Sequence, residues 1–214
     1  MSGRSLLTLL KSMIERSYGM PPVIGDVTPF IIGDAGYAAL YGRAEGARLL
    51  VRETSASLRV SLYYPDALVR HLERFNPMTA VGDDNIDAFG VFIEELDHLL
   101  TLASRAAESR PVSRMELEHH AMVTKYLVVV HFLGKQIGRR RVPDALRHWA
   151  RHHLLERYAP GEGEDSGRYR TAAKLAGRYL RYLESLRDSE RPAELRAYQR
   201  RPLVETTRLV TNLN

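Results

Sequence analysis

Two long stretches of apolar residues at helical spacing occupy the middle of the chain and limit what it can fold into. In the first, Ile86, Phe89, Ile93, Leu96, Leu100 and Ala103 recur every three or four residues, which places them on one stripe of an α-helix. Asp83 or Asp84 can cap this helix, and its pattern runs to Glu108. In the second, Met115, Met122, Tyr126, Val129 and Leu133 form a stripe, while Leu127 and Val128 add apolar surface on the other side. A helix apolar nearly all round belongs at the centre of its domain. Ser113-Arg-Met-Glu116 opens this helix with a capping box, in which the Ser113 hydroxyl and the Glu116 carboxylate each satisfy a backbone N–H at the helix start. The short link through Arg110 and Pro111 predicts an antiparallel hairpin turning near Arg110.

The other elements are shorter. Leu6, Leu10, Met13 and Ile14 share one face of an amphipathic helix over residues 5–18. Residues 19–46 are rich in Gly and Pro and read as loop around short extended or helical pieces. Leu58, Val60, Leu62 and Tyr64 then alternate with Arg59, Ser61 and Tyr63, which predicts a strand forming a β-hairpin with residues 49–53. Pro65 and Asp66 start a helix that stops at Asn76-Pro77. Further helices are predicted over residues 143–158 and 168–187, on either side of the acidic loop GEGEDSG. Pro192 and Pro202 break up the remainder. The fold class is therefore mainly α (α+β), a bundle of about five to six helices with a small β-hairpin near its N-terminal side. Residues 1–214 read as a single domain with subregions 1–80 and 81–214.

The absence of cysteine excludes disulfides, zinc ribbons, iron–sulfur clusters and thiol nucleophiles. No apolar run approaches the roughly 18 residues of a membrane span, so a soluble, cytoplasmic protein with no membrane partner is expected. P-loop, G-x-G-x-x-G, H-E-x-x-H and G-x-S-x-G motifs are missing. Charge is segregated. Residues 1–138 carry 14 Lys/Arg against 16 Asp/Glu, and residues 139–214 carry 17 against 10. The basic third contains Arg139-Arg140-Arg141 and a helix in which Arg168, Arg170, Lys174, Arg178 and Arg181 are interspersed with Tyr169, Tyr179 and Tyr182. Arg and Tyr together suit phosphate or base contacts and protein interfaces alike.

Two E-x-x-H motifs on consecutive helices, Glu95-x-x-His98 and Glu116-x-x-His119, raise the question of a metal. Phase argues against it, because at about 100° per residue His98 lies some 160° from the Leu96 stripe and points outward. Register argues against it too: His98 lies about 18 Å from the turn and His119 about 9 Å from its helix start. Glu116 is occupied by the capping box. No metal and no cofactor are therefore expected. His148, His152 and Glu156 are a helical turn apart, but they share a polar face with Arg147 and Arg151. Glu118, His119 and Lys125 interrupt the apolar surface of the central helix and must be paired if buried.

These residues give two expectations. The first is a non-catalytic helical binding protein whose anion- or partner-binding surface uses Arg139, Arg140, Arg141, Arg178 and Arg181. Its partner would be a protein or a second copy of the chain, with nucleic acid as the lesser expectation. The alternative is a small acid–base or metal-dependent enzyme with a pocket around Glu118, His119 and Lys125.

Overall fold

A computed structural model of the chain describes residues 5–42, 46–54, 57–157 and 164–211. The central hairpin forms as expected. Helix α4 (Ile86–Ala107) and helix α5 (Arg114–Gln136) pack antiparallel, and the capping box is complete: Glu116 N–H donates to Ser113 Oγ, and Ser113 N–H donates to Glu116. The first helix of the pair starts slightly later than its acidic cap suggests. Asn85 precedes it, and its amide clips the incoming loop by donating to the carbonyls of Phe75 and Ala80.

Helix α1 (Leu6–Tyr18) crosses the pair and buries Leu10, Ile14 and Tyr18. It ends at Gly19, whose left-handed φ of 64° lets the next N–H fold back onto the Glu15 carbonyl, a conformation that favours glycine. The β-hairpin also forms: β2 (Arg48–Glu53) and β3 (Leu58–Tyr63) pair antiparallel. A third strand, β1 (Ile31–Ile32), joins parallel to β3, giving the order β1-β3-β2. This extra strand and helix α2 (Asp34–Tyr41) are short extended and helical pieces within the Gly- and Pro-rich segment 19–46. The sheet is anchored to α4 by the buried Tyr64 hydroxyl, which donates to the Phe92 carbonyl at 2.7 Å.

Helix α3 (Asp66–Arg74) ends where Asn76-Pro77 predicts. Helix α6 (Asp144–Arg151) continues into a π-helical turn (His152–Glu156), closed by an Arg157 N–H to His152 carbonyl bond of 2.8 Å. Helix α7 (Glu164–Ser185) packs along α5. Two more helices follow, α8 (Arg191–Arg200) and α9 (Leu203–Thr211). Here the prolines act as starters: Pro192 occupies the first turn of α8 and Pro202 directly precedes α9, sites where the missing N–H costs nothing. The described residues therefore hold more helices than the pattern suggested, in a structure 67% helical.

Helices α1, α4, α6 and α7 all contact α5, which explains why it is apolar nearly all round. Ala121, Met122, Val123, Tyr126 and Val129 are buried on it. No helix among the described residues is long and apolar enough to cross a membrane.

Candidate metal centre

The α4–α5 interface is not purely apolar, and its polar groups fall into two clusters. The first lies beside a cleft of about 360 Å³ walled by α4, the π-turn, α7 and the Gly46–Ala47 approach to the sheet. Glu94, Glu95 and His98 come from α4, Glu118 and Lys125 from α5, and Tyr169 from α7. Gly90 lets the π-turn approach α4, since a Cβ there would sit 2.9 Å from Leu154 Cδ2.

Lys125 is 3% exposed and donates to Glu94 at 2.6 Å and to the Tyr169 hydroxyl at 2.9 Å. Burial works against its charge, but Glu94 and Tyr169 outweigh it and hold its pKa above the ordinary lysine value. Burial likewise opposes ionisation of Glu94, and the Lys125 ammonium and His98 reverse that, leaving its pKa below the usual range. The imidazole of His98 is 8% exposed. Its Nδ1 lies 3.5 Å from Glu95 and its Nε2 lies 4.0 Å from Glu118. Burial disfavours its charged form, yet the three surrounding carboxylates of Glu95, Glu94 and Glu118 push its pKa up to about 9. Glu118 is raised, chiefly by burial.

One ligand atom each from Glu94, His98 and Glu118 lies within 4.8 Å of the others. Metal–ligand bonds of about 2.1 Å separate ligand atoms by roughly 3–4 Å, so small side-chain rotations would close this group around an ion. Both His98 Nε2 and Glu95 Oε2 are buried without a hydrogen-bond partner. The Glu95 carboxylate beside Nδ1 and the unpaired Nε2 facing Glu118 match the way carboxylates orient metal-binding histidines.

This arrangement corrects two steps of the sequence argument. The imidazole of His98 does not point outward, because α4 is buried on several sides: Leu96 through Thr101 are all buried, by α1, the sheet and α5 together. A one-sided helical stripe does not describe such a helix. The register also differs from the expected offset, as His98 Nε2 comes within 4.0 Å of Glu118, the residue before His119. Left-handed Ser109 (φ 53°) and the Arg110 N–H to Arg105 carbonyl bond terminate α4 before the chain turns back.

The second cluster is nearly closed, with a pocket of about 20 Å³ beside His119 and His120. Asp97 is fully buried; its Oδ1 accepts from Thr124 at 2.8 Å and its Oδ2 lies 2.7 Å from His120 Nδ1. Thr124 also meets the Tyr18 hydroxyl at 2.8 Å. Here His119 departs from the expected Glu118–His119–Lys125 group. Its Nδ1 pairs with the Tyr198 hydroxyl of α8 at 2.9 Å, away from Lys125, while burial pulls its pKa down to about 4. Adjacent residues on a helix diverge by about 100°, so Glu118 and His119 serve different clusters. Glu94 and Glu95 were absent from the expected pocket, although Glu95-x-x-His98 signalled half of it.

The expected basic surface is divided. A second cleft of about 400 Å³ is lined by Arg170, Lys174, Arg178 and Arg181 of α7 and by Arg151 and Glu156. Arg139, Arg140 and Arg141 are exposed and do not line it. His152 and Glu156 stand 3.6 Å apart, and His148 lies on the preceding turn. No family model, curated protein or solved structure matches this chain.

Proposed function

We propose that the chain binds a divalent metal ion through Glu94, His98 and Glu118 and presents it to a small oxygen-donor ligand in the adjoining cleft. The supporting observation is the unpaired, buried His98 Nε2 facing Glu118 within a three-residue ligand set. Charge supports the same reading. Glu94, Glu95 and Glu118 outnumber Lys125, and one divalent ion with a neutral His98 would balance them. Two carboxylates and one imidazole suit Mn, Fe or Zn and leave coordination positions for a bound molecule. Lys125, held in its charged form, serves as a fixed hydrogen-bond donor and not as a base. In such a site the metal acts as a Lewis acid toward a coordinated oxygen.

Dialysis against Mn(II), Fe(II) or Zn(II), followed by metal-free buffer and elemental analysis, tests this. About one equivalent should remain in the parent chain and be lost in His98→Gln and Glu118→Gln. Less than about a tenth of an equivalent in the parent chain sinks the reading.

A second reading, binding of an anionic partner through the basic C-terminal helices, is supported by a separate observation. Arg170, Lys174, Arg178 and Arg181 share one cleft and form no ion pair among the described residues. Charge reversal at Arg178 and Arg181 should abolish that binding.

A further inference from the structure

The α7 cleft rests on this second reading and allows its ligand class to be named. Positions 170, 174, 178 and 181 recur every three or four residues, so the four cations form one stripe about 16 Å long. Elsewhere in the basic third, arginines meet carboxylates: Arg147 with Asp144, Arg187 with Glu190, Arg191 with Asp188 and Arg201 with Glu194. The stripe is different. Its lining carboxylate, Glu156, stands beside His152, and Arg151 is committed to Glu184 at 2.9 Å with its Nε buried and unpartnered. The floor between the cations is formed by Ala173 and Gly177, small enough for a ligand to approach the helix. Like charges held this close repel, and a multivalent anion relieves them.

Aromatic residues decide between anions. Binding of single-stranded nucleic acid relies on aromatic side chains that stack on bases. The cleft contains none: Tyr169 faces the acidic cleft beside Lys125, and Tyr179 is buried against Tyr198. We propose that this cleft binds a small ligand carrying two or more linked phosphates, held by Arg170, Lys174, Arg178 and Arg181.

The test is calorimetric titration of the full chain with inorganic tripolyphosphate, with EDTA present so that metal chelation cannot contribute. Saturable binding is expected, with orthophosphate at least about tenfold weaker. The double variant R178E/R181E should lose at least about tenfold in affinity, and R178Q/R181Q a smaller amount. Both positions are exposed, so melting curves should match the parent chain. Alanine at Arg139, Arg140 and Arg141 should leave the affinity within about twofold. Three results overturn the assignment: no saturation at about 1 mM tripolyphosphate, unchanged affinity in R178E/R181E, or tighter binding of a single-stranded oligonucleotide lost in the same variant. If tripolyphosphate fails while a polyglutamate peptide binds and is lost on reversal, the anionic-partner reading survives and the phosphate assignment falls. If neither binds, both fall.

Discussion

The α4–α5 pair carries two polar clusters within a few residues of each other, and they have opposite characters. Around Asp97 both carboxylate oxygens are engaged, by Thr124 and His120, and the pocket beside them, at Thr101 and His120, holds about 20 Å³. Around His98 a cleft opens beside Glu94, Glu95 and Lys125, the carboxylates outnumber the cations, and buried atoms of His98 and Glu95 lack partners. A buried polar group without a partner costs about 1–3 kcal/mol, and both clusters carry one, since His120 Nε2 is unpartnered too. What separates them is the surplus of carboxylates and the larger cleft around His98. Excess carboxylates gathered at an unpartnered histidine beside an open cleft are the pattern expected where stability is exchanged for binding.

That contrast can be broken most directly at Asp97. Its replacement by alanine leaves His120 and Thr124 facing a void, and should cost about 4 kcal/mol, lowering the melting temperature by roughly 10 °C. Metal content should be unchanged in whatever protein stays folded. A loss under about 1 kcal/mol would show that the closed cluster is no structural device. Next in size is Lys125→Met, which strands Glu94 near Glu95 and Glu118 and should cost about 2–3 kcal/mol in metal-free buffer. Divalent ions should restore part of that loss, since they supply the missing positive charge. Urea unfolding with and without Mn(II) measures both quantities, and equal losses in the two buffers would count against the metal site.

Much of this architecture is readable from residue order. Periodicity delimits α4 and α5, and Ser113 with Glu116 marks the start of α5. Alternation around Val60 marks the hairpin. What periodicity cannot supply is which further elements surround a helix. The face of His98 opposite Leu96 would be solvent in a two-helix hairpin, but α1 and the sheet cover α4 on other sides. Strand β1, of two residues, is too short to leave a pattern and exists only because β3 offers it a partner. The prolines at 192 and 202 stop a helix or start one, and the residues around them do not decide which. Lys125 and Glu118 were legible because charge on an apolar helix is conspicuous. Of their neighbours, Glu95 was marked by its spacing to His98, but Glu94 was not, since a glutamate in the middle of a long helix looks like ordinary surface.

Smaller effects sharpen the contrast further. Glu118→Gln removes one of the excess carboxylates, so stability should stay the same or rise by up to about 1 kcal/mol, while metal retention falls at least about tenfold. If this variant instead loses as much stability as Asp97→Ala, the two clusters are the same kind of object and the distinction fails.

The smallest effect is expected at Gly90, where α4 and the π-turn come together. An added Cβ would lie 2.9 Å from Leu154 Cδ2, and that methyl can rotate away into the cleft. Alanine also favours a helix interior over glycine by about 1 kcal/mol, so the net change in stability for Gly90→Ala should be below about 1 kcal/mol. The displaced Leu154 would nonetheless narrow the opening that leads to Glu94 and Lys125. If that opening is the route to the ligand set, EDTA should strip bound metal from Gly90→Ala more slowly, by about twofold, with the bound amount unchanged. An unaltered stripping rate would mean that ions reach His98 by another path, and the cleft would then lose its claim to be the face on which a ligand meets the metal.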